Sequence, residues 1–216
     1  MKITYLGHSC FCFESENGRK LITDPYTRVG YELPKNVFAD IVLCSHGHFD
    51  HNYTAAIGGN PMVITESGKY SAFGMDMEGF DSWHDPKKGA LRGKNVIFHF
   101  TIDGITFCHF GDLGESYSEA MAKKISNADV WLIPVGGTYT IDATQAKEYI
   151  EKLSPKLVIP MHYRPNDGAL DIDTAEVFLN QMKDLDVISC KGGEYTLDKE
   201  LLKELTGKII YMERIN

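Results

Sequence analysis

The sequence has little that would direct the chain into a membrane, onto nucleic acid or into a disulfide framework. No apolar run approaches the roughly 20 residues a bilayer-spanning helix needs. Met1-Lys2-Ile3-Thr4-Tyr5 leads straight into a strand-like pattern, without the charged start, apolar stretch and small-residue cleavage site of a leader. A cytoplasmic protein with no membrane partner is the expectation. Basic residues are in deficit, 22 Lys and Arg against 30 Asp and Glu for a net charge of −8. Binding along a phosphate backbone depends on cations, so nucleic acid is not expected as the main partner. The five cysteines, Cys10, Cys12, Cys44, Cys108 and Cys190, are odd in number and lie mostly in apolar runs. The Cys10-Phe11-Cys12 pair is too close for an easy disulfide and lacks the second pair of a zinc knuckle, so all five read as small buried thiols. Linkers rich in Pro, Gly or Ser are missing too, as are repeats and low-complexity tracts. With 43% hydrophobic and 24% charged residues, the 216 residues read as one globular domain spanning 1–216.

What the sequence does contain is concentrated in Ser45-His46-Gly47-His48-Phe49-Asp50-His51. This stretch follows Ala39-Asp40-Ile41-Val42-Leu43-Cys44, a run whose β-branched content reads as a buried strand. The end of a strand is where an open α/β sheet places its chemistry. Three histidines and an aspartate fall within six residues of a chain that has only eight histidines, and clustered His and Asp point to metal ligation. His46 and His48, at i and i+2, leave an extended backbone on the same side and can meet one cation. Asp50 and His51 are adjacent and must diverge from that pair. Two neighbouring metals, one on His46 and His48 and one on Asp50 and His51, is the simplest geometry using all four. Asn52 is expected to cap a short helix reaching Ile57, ended by Gly58-Gly59.

The remaining chain reads as alternating strands and helices. Strands are expected over 2–6 and 10–14, separated by Gly7-His8-Ser9, and over 19–23 after an Asn17-Gly18 turn. Residues 61–65 read as a strand and 66–73 as a short helix. Residues 96–100 and 105–108 flank Asp103-Gly104, a hairpin signal. His99, inside the first of these strands, reads as an exposed strand residue. Helices are expected over 116–125, 142–153 and 174–183, and buried strands over 128–135 and 156–161.

The arrangement His-x-His-x-Asp-His resembles the signature of the metallo-β-lactamase superfamily. Gly7-His8-Ser9 is similar to a feature of its branch of small metal-dependent hydrolases related to the ascorbate-phosphate lactonases. The resemblance implies an α/β fold, a four-layer α/β/β/α sandwich of two mixed sheets with metals at one edge. It implies further ligands: His84 on the first metal, His162 of Pro160-Met161-His162-Tyr163 on the second, and Asp112 of Gly111-Asp112 as the bridge between them. Asp24 would then accept the distal N–H of a ligating histidine, fixing its tautomer and raising its basicity. His8 and His109 are placed beside the ligands in a supporting role. Position 48 carries His where the superfamily's diiron branch carries Glu, which argues against a redox role.

On this resemblance the cofactor is a pair of divalent ions, zinc by its nitrogen and oxygen ligands, with manganese or iron as alternatives. Such a centre lowers the pKa of bound water to about 7 and polarises a carbonyl or phosphoryl oxygen. Asp50, Asp112 and Tyr163 are the expected catalytic residues. Lys87, Lys88 and Arg92 follow His84, and Arg164 follows His162; in so acidic a chain they point to an anionic small-molecule substrate. The expected activity is hydrolysis of a small ester, lactone or phosphoester. A nuclease of the same superfamily, or a metal-binding protein without turnover, are the competing readings.

Overall fold

The structure is a computed structural model that describes residues 1–215. In chain order its strands and helices are β1 (Lys2–Gly7), β2 (Cys10–Glu14), β3 (Lys20–Thr23), β4 (Ile41–Leu43), β5 (Met62–Ile64), β6 (Gly68–Ala72), β7 (Met75–Trp83), β8 (Lys94–Ile102), β9 (Ile105–His109), α1 (Glu119–Ile125), β10 (Val130–Pro134), α2 (Ala143–Leu153), β11 (Leu157–Met161), α3 (Ala175–Gln181), β12 (Val187–Cys190), β13 (Glu194–Thr196), α4 (Lys199–Glu204) and β14 (Lys208–Met212).

The strands form two mixed sheets, one of six strands ordered β13-β1-β2-β3-β4-β5 and one of eight ordered β12-β14-β11-β10-β9-β8-β7-β6. In the first, β1, β2 and β3 run as antiparallel neighbours, and β3, β4 and β5 are parallel. In the second, β9, β10, β11 and β14 are parallel, while β7 and β8 return antiparallel before β9. Burial drives their packing. Phe13 of β2 meets Phe100 and Phe107 of the other sheet edge-on at 4.9 Å each, a geometry aromatic pairs favour. The capped helix α2, whose Asp142 and Gln145 form a reciprocal capping box, packs on β10 and α3. The outer face of the six-stranded sheet is covered mainly by the segment after β3, where Tyr26, Val29 and Leu33 bury Cys10, Ile22, Val42 and Cys44. All five cysteines are free thiols, and only Cys12 is more than marginally exposed.

Three local expectations differ from the structure. Residues 66–73 do not form a helix: β6 pairs with β7 from Gly68↔Gly79 to Ala72↔Met75. Phe73 and Gly74, at φ 53° and 79°, make the tight turn, and two positive φ angles in a two-residue loop suit the twist of a hairpin. After the histidine cluster only a 3-10 turn forms, Thr54–Ala56, and no side chain caps it. His99 is half-buried rather than exposed, its ring edge-on to Phe80 at 5.2 Å.

Strand direction is what positions the site. Because β2 and β8 run opposite to their neighbours, β1 and β3 share a direction in one sheet, and β7, β9, β10 and β11 share one in the other. The C-terminal ends of β1, β3 and β4 deliver His8, Asp24 and residues 45–51. Those of β7, β9 and β11 deliver His84, Asp112 and His162. Among the described residues no helix is long and apolar enough to cross a membrane.

Candidate metal centre

Asp24 organises the first half of the site. It is buried, and its Oδ1 accepts the Ser45 backbone N–H at 2.7 Å while Oδ2 accepts the Ser45 hydroxyl at 2.7 Å and His51 Nδ1–H at 2.8 Å. A carboxylate can only accept, so the His51 proton is on Nδ1 and its Nε2 points into the site. Ser45 uses its one proton on Asp24, so it accepts from His46 Nδ1, 2.9 Å away. His84 Nδ1–H donates to the Tyr139 carbonyl at 3.1 Å. Three histidines thus have their tautomers set from behind, each presenting Nε2 to the centre.

The donors converge. His46, His48 and His84 form one group, His8, Asp50, His51 and His162 a second, and Asp112 joins His46 and His51 between them; within each group the ligand atoms lie within 4.8 Å of one another. Asp112 Oδ1 is 3.2 Å from His51 Nε2, and its Oδ2 is 3.2 Å from His84 Nε2 and 3.3 Å from His162 Nε2. Despite these distances neither Asp112 Oδ1 nor either ring nitrogen of His162 makes a well-aligned hydrogen bond. Buried polar atoms left in that state are costly. His46 Nε2 faces His48 Nδ1 at 3.0 Å, and His8 Nε2 faces His51 Nε2 at 3.2 Å. Two nitrogens bound about 2.0–2.1 Å from a tetrahedral ion stand roughly 3.3 Å apart. The spacing and the orphaned atoms fit a cation in each group.

The electrostatics agree. Burial pushes His8 down to about 4, with the His162 charge adding to it, and His46 down to about 3, with His51 adding to it. Burial also lowers His84, outweighing Asp112. For the acids burial works the other way, yet His162 and His51 hold Asp112 well below the usual carboxylate range, and His8 and His51 do the same for Asp50. For His51 burial opposes the charge, but Asp112 and Asp24 outweigh it and raise its pKa. His8, His46 and His84 are thus held neutral beside ionised carboxylates, as ligands of a divalent ion must be, while the proton that Asp112 and Asp24 favour on His51 is one a bound cation would displace.

Asp112 is placed by Asn95, which carries no signal in the sequence, together with Gly111 and His109. Asn95, buried in β8, accepts the Asp112 N–H on Oδ1 at 2.9 Å and donates from Nδ2 to Ser82 Oγ at 2.8 Å and the Phe110 carbonyl at 2.9 Å. Gly111 has φ 54°, and a Cβ there would run into Asn95 Oδ1 and Ser45 Cβ, so the chain passes only as glycine. His109 is buried with both ring nitrogens in use: Nε2 on the Ser9 carbonyl at 2.9 Å and Nδ1 on Gly111 N–H at 3.2 Å. It braces the Gly111 turn and lies 3.9 Å from Asp24.

Other expected residues stand apart from the cluster. Tyr163 is not brought to the metal donors by its hydroxyl, which donates to the Met212 carbonyl at 2.8 Å while its ring packs with Tyr5 and Tyr211. The reason is geometric, since residues 162 and 163 diverge at the end of β11, where His162 has φ 52°. Arg164 lines a separate cavity of about 540 Å³ with Tyr5, Tyr163 and Arg214. Val29, Tyr31, Leu170 and Ile172 lie around His8 on the side of Tyr163 and Arg164. Lys87, Lys88 and Arg92 ride on a loop wound around the buried Asp85 carboxylate, which accepts the backbone N–H groups of Lys87, Gly89, Leu91 and Arg92 at 2.8–3.1 Å. Arg92 reaches the rim: it donates to the Thr138 carbonyl at 3.1 Å and lies 5.5 Å from the centre of the Tyr139 ring, next to the carbonyl that holds His84. On this side of the cluster His48 is exposed, as are its neighbour Phe49 and Tyr139, whose carbonyl holds His84.

The beta-lactamase superfamily domain matches residues 2–162. A metal-dependent hydrolase from Pelotomaculum thermopropionicum is 35% identical over 195 residues, covering 76% of this chain and 84% of that protein. One from Carboxydothermus hydrogenoformans is 31% identical over 194 residues with the same coverage, 76% and 84%. Among solved structures, a Thermotoga maritima protein of the metallo-β-lactamase superfamily, named as a candidate zinc-dependent hydrolase, superposes with a TM-score of 0.77 at 34% identity over 99% of this chain and 98% of that one. A metallo hydrolase from Ignicoccus hospitalis, at 22% identity and a TM-score of 0.65 over 100% of this chain and 96% of that one, shares the fold. The chain belongs to the metallo-β-lactamase superfamily and is a metal-dependent hydrolase.

Proposed function

We propose that this member of the superfamily hydrolyses a small anionic ester, lactone or phosphoester at a dinuclear centre. His46, His48 and His84 would hold the first ion and Asp50, His51 and His162 the second, with Asp112 contributing to both. The observation that carries the reading is the Asp112 carboxylate, whose two oxygens lie 3.2 Å from nitrogens of both groups, His51 Nε2 and His84 Nε2, with one oxygen lacking any hydrogen bond. When bound, two divalent ions would bring the pKa of water toward about 7 and polarise the scissile carbonyl or phosphoryl group. Zinc suits this nitrogen and oxygen donor set, as do manganese and iron.

The chain's own residues supply the rest. Asp24 and Ser45 keep the His51 and His46 lone pairs aimed inward. Asp50, whose side chain is 15% exposed at the mouth of the otherwise buried group, is the carboxylate we assign to carry the proton to the leaving group. Arg92, Lys87, Lys88 and Arg164 have no carboxylate within ion-pair distance among the described residues, although acids outnumber bases in the chain. Arg92 is the one at the rim beside His84, so it is the residue assigned to the substrate's anionic group.

The test is a hydrolysis screen of the metal-loaded protein against lactones, phosphomonoesters, phosphodiesters and thioesters, with single-stranded RNA alongside. Turnover of one small-molecule class, abolished by Asp112→Ala, is expected. Turnover that persists in Asp112→Ala, or RNA cleavage with no small-molecule activity, would reject the proposed reaction.

A further inference from the structure

His8 sits in the turn between β1 and β2 with a φ of 54°, in the left-handed region. A side chain in that region needs the surroundings to hold it there, and such strain gathers at functional sites. Here the hold is specific. The His8 carbonyl accepts the Tyr5 hydroxyl at 2.9 Å and the backbone N–H of His162 at 2.9 Å. His162 is itself left-handed, with φ 52°. One carbonyl therefore ties together two strained histidines from opposite sheets and fixes how their rings meet, 4.3 Å apart between centroids.

The His8 ring is turned into the centre. It is 1% exposed, with Nε2 3.2 Å from His51 Nε2 and 3.5 Å from Asp50 Oδ2. The His51 nitrogen it faces is the one left over after Nδ1 binds Asp24. Its separation from that nitrogen lies close to the His46–His48 spacing of 3.0 Å in the other group. Such a contact is what two ligands on one ion present.

We propose that His8 is a fourth unshared protein ligand of the second ion, beside the shared Asp112, so that the two metal positions are unequal. His8, Asp50, His51 and His162 form an inner cage in which the three histidines are no more than 1% exposed. His46, His48 and His84 form an outer site that opens to solvent at His48. With the shared Asp112 the inner ion has five protein donors, one more than a tetrahedral set. This favours ions at ease with five or six ligands, such as Mn²⁺ or Fe²⁺, over a four-coordinate zinc. The inner ion is then the slowly exchanging one, and substrate meets the outer ion.

The inference rests on the dinuclear reading above, and the experiment separates the two. The full chain, labelled with ¹⁵N-histidine, is loaded with ¹¹³Cd²⁺, and bound ions are counted alongside NMR detection of cadmium–imidazole coupling. Two ions per chain with coupling to the ring nitrogens of His8, His51 and His162 is the expected result. In Mn²⁺ titrations, His8→Ala should weaken one of the two binding steps about tenfold or more and leave the other unchanged. Two bound ions with coupling to His51 and His162 but not to His8 would overturn the proposal and leave His8 as a hydrogen-bond partner of Asp50. A single ion that couples to His8 would reject the dinuclear reading while upholding His8 as a ligand; no bound ion would reject both.

Discussion

At the scale of single residues, the site depends on what stands behind each ligand as much as on the ligands. Asp24 is the clearest case, since one carboxylate serves Ser45, His51 and, through Ser45, His46. In Asp24→Asn the amide cannot accept all of these bonds, so metal affinity should fall about 10–100-fold with the fold intact. Isothermal titration with Zn²⁺ or Mn²⁺ and circular dichroism check the two parts; unchanged affinity would remove Asp24 from the centre. Arg92 gives the complementary expectation. It contacts the Thr138 carbonyl and the Tyr139 ring but no ligand side chain, so Arg92→Ala should raise KM for the anionic substrate about tenfold or more, with bound metal unchanged. Steady-state kinetics with metal analysis reads this, and an equal KM would take Arg92 out of recognition.

How much of the site is legible in the sequence divides along the same line. Residues 46–51 announce themselves because four ligand types are local in sequence. Asp24 is legible as an aspartate closing a strand once a metal site is suspected. Asn95 is not, because an asparagine in an alternating strand has no pattern that marks it as the holder of Asp112. His8 is placed beside the site only by the resemblance of Gly7-His8-Ser9, and its orientation is not legible because it depends on a bond to His162, 154 residues away. The role expected of Tyr163 failed for a related reason: adjacency in sequence to His162 does not survive the turn at the end of β11.

At the scale of elements, strand ends and their turns decide what is possible. The hairpin of β6 and β7 is not legible in the sequence because its turn, Phe73-Gly74, has no Asn or Asp before the glycine, and half-exposed strands without alternation resemble helices. Turn chemistry elsewhere is less forgiving. Gly111→Ala adds a Cβ against Asn95 and Ser45 at a positive φ, so it should destabilise the fold by about 1–3 kcal/mol and weaken metal binding as Asp112 shifts. Urea unfolding and metal titration check both, and wild-type values in each would contradict the tight-turn explanation. The loop after β7 offers a second test. Its four backbone N–H groups converge on Asp85, so Asp85→Ala should release Arg92 and raise KM in the same direction as Arg92→Ala. If the two effects add fully in the double variant, Asp85 does not act through Arg92.

For the whole molecule, the His and Asp cluster able to bind metal would act as a clasp between two sheets. His8, His46, His48, Asp50 and His51 come from the six-stranded sheet's edge, and His84, Asp112 and His162 from the eight-stranded sheet's edge. The aromatic interior, with Phe13 against Phe100 and Phe107, holds the sheets together away from that edge. The two-sheet architecture was readable from the strand and helix alternation only as α/β; the sandwich came from the resemblance, since periodicity does not say which strands share a sheet. A ligand that binds only the folded chain stabilises it, by about 2.7 kcal/mol at one hundred times its dissociation constant. For a chain of this size that corresponds to a Tm lowered by roughly 5–10 °C on chelation, read by differential scanning calorimetry with and without EDTA. An unchanged Tm would mean the sheets do not rely on the clasp.

The most direct measurement is anomalous X-ray diffraction from crystals of the manganese- or zinc-loaded protein. Two peaks are expected on either side of the Asp112 carboxylate, about 3.5–4 Å apart, one among His46, His48 and His84 and one among Asp50, His51 and His162. A single peak, or none between these groups, would contradict a pair of ions sharing Asp112.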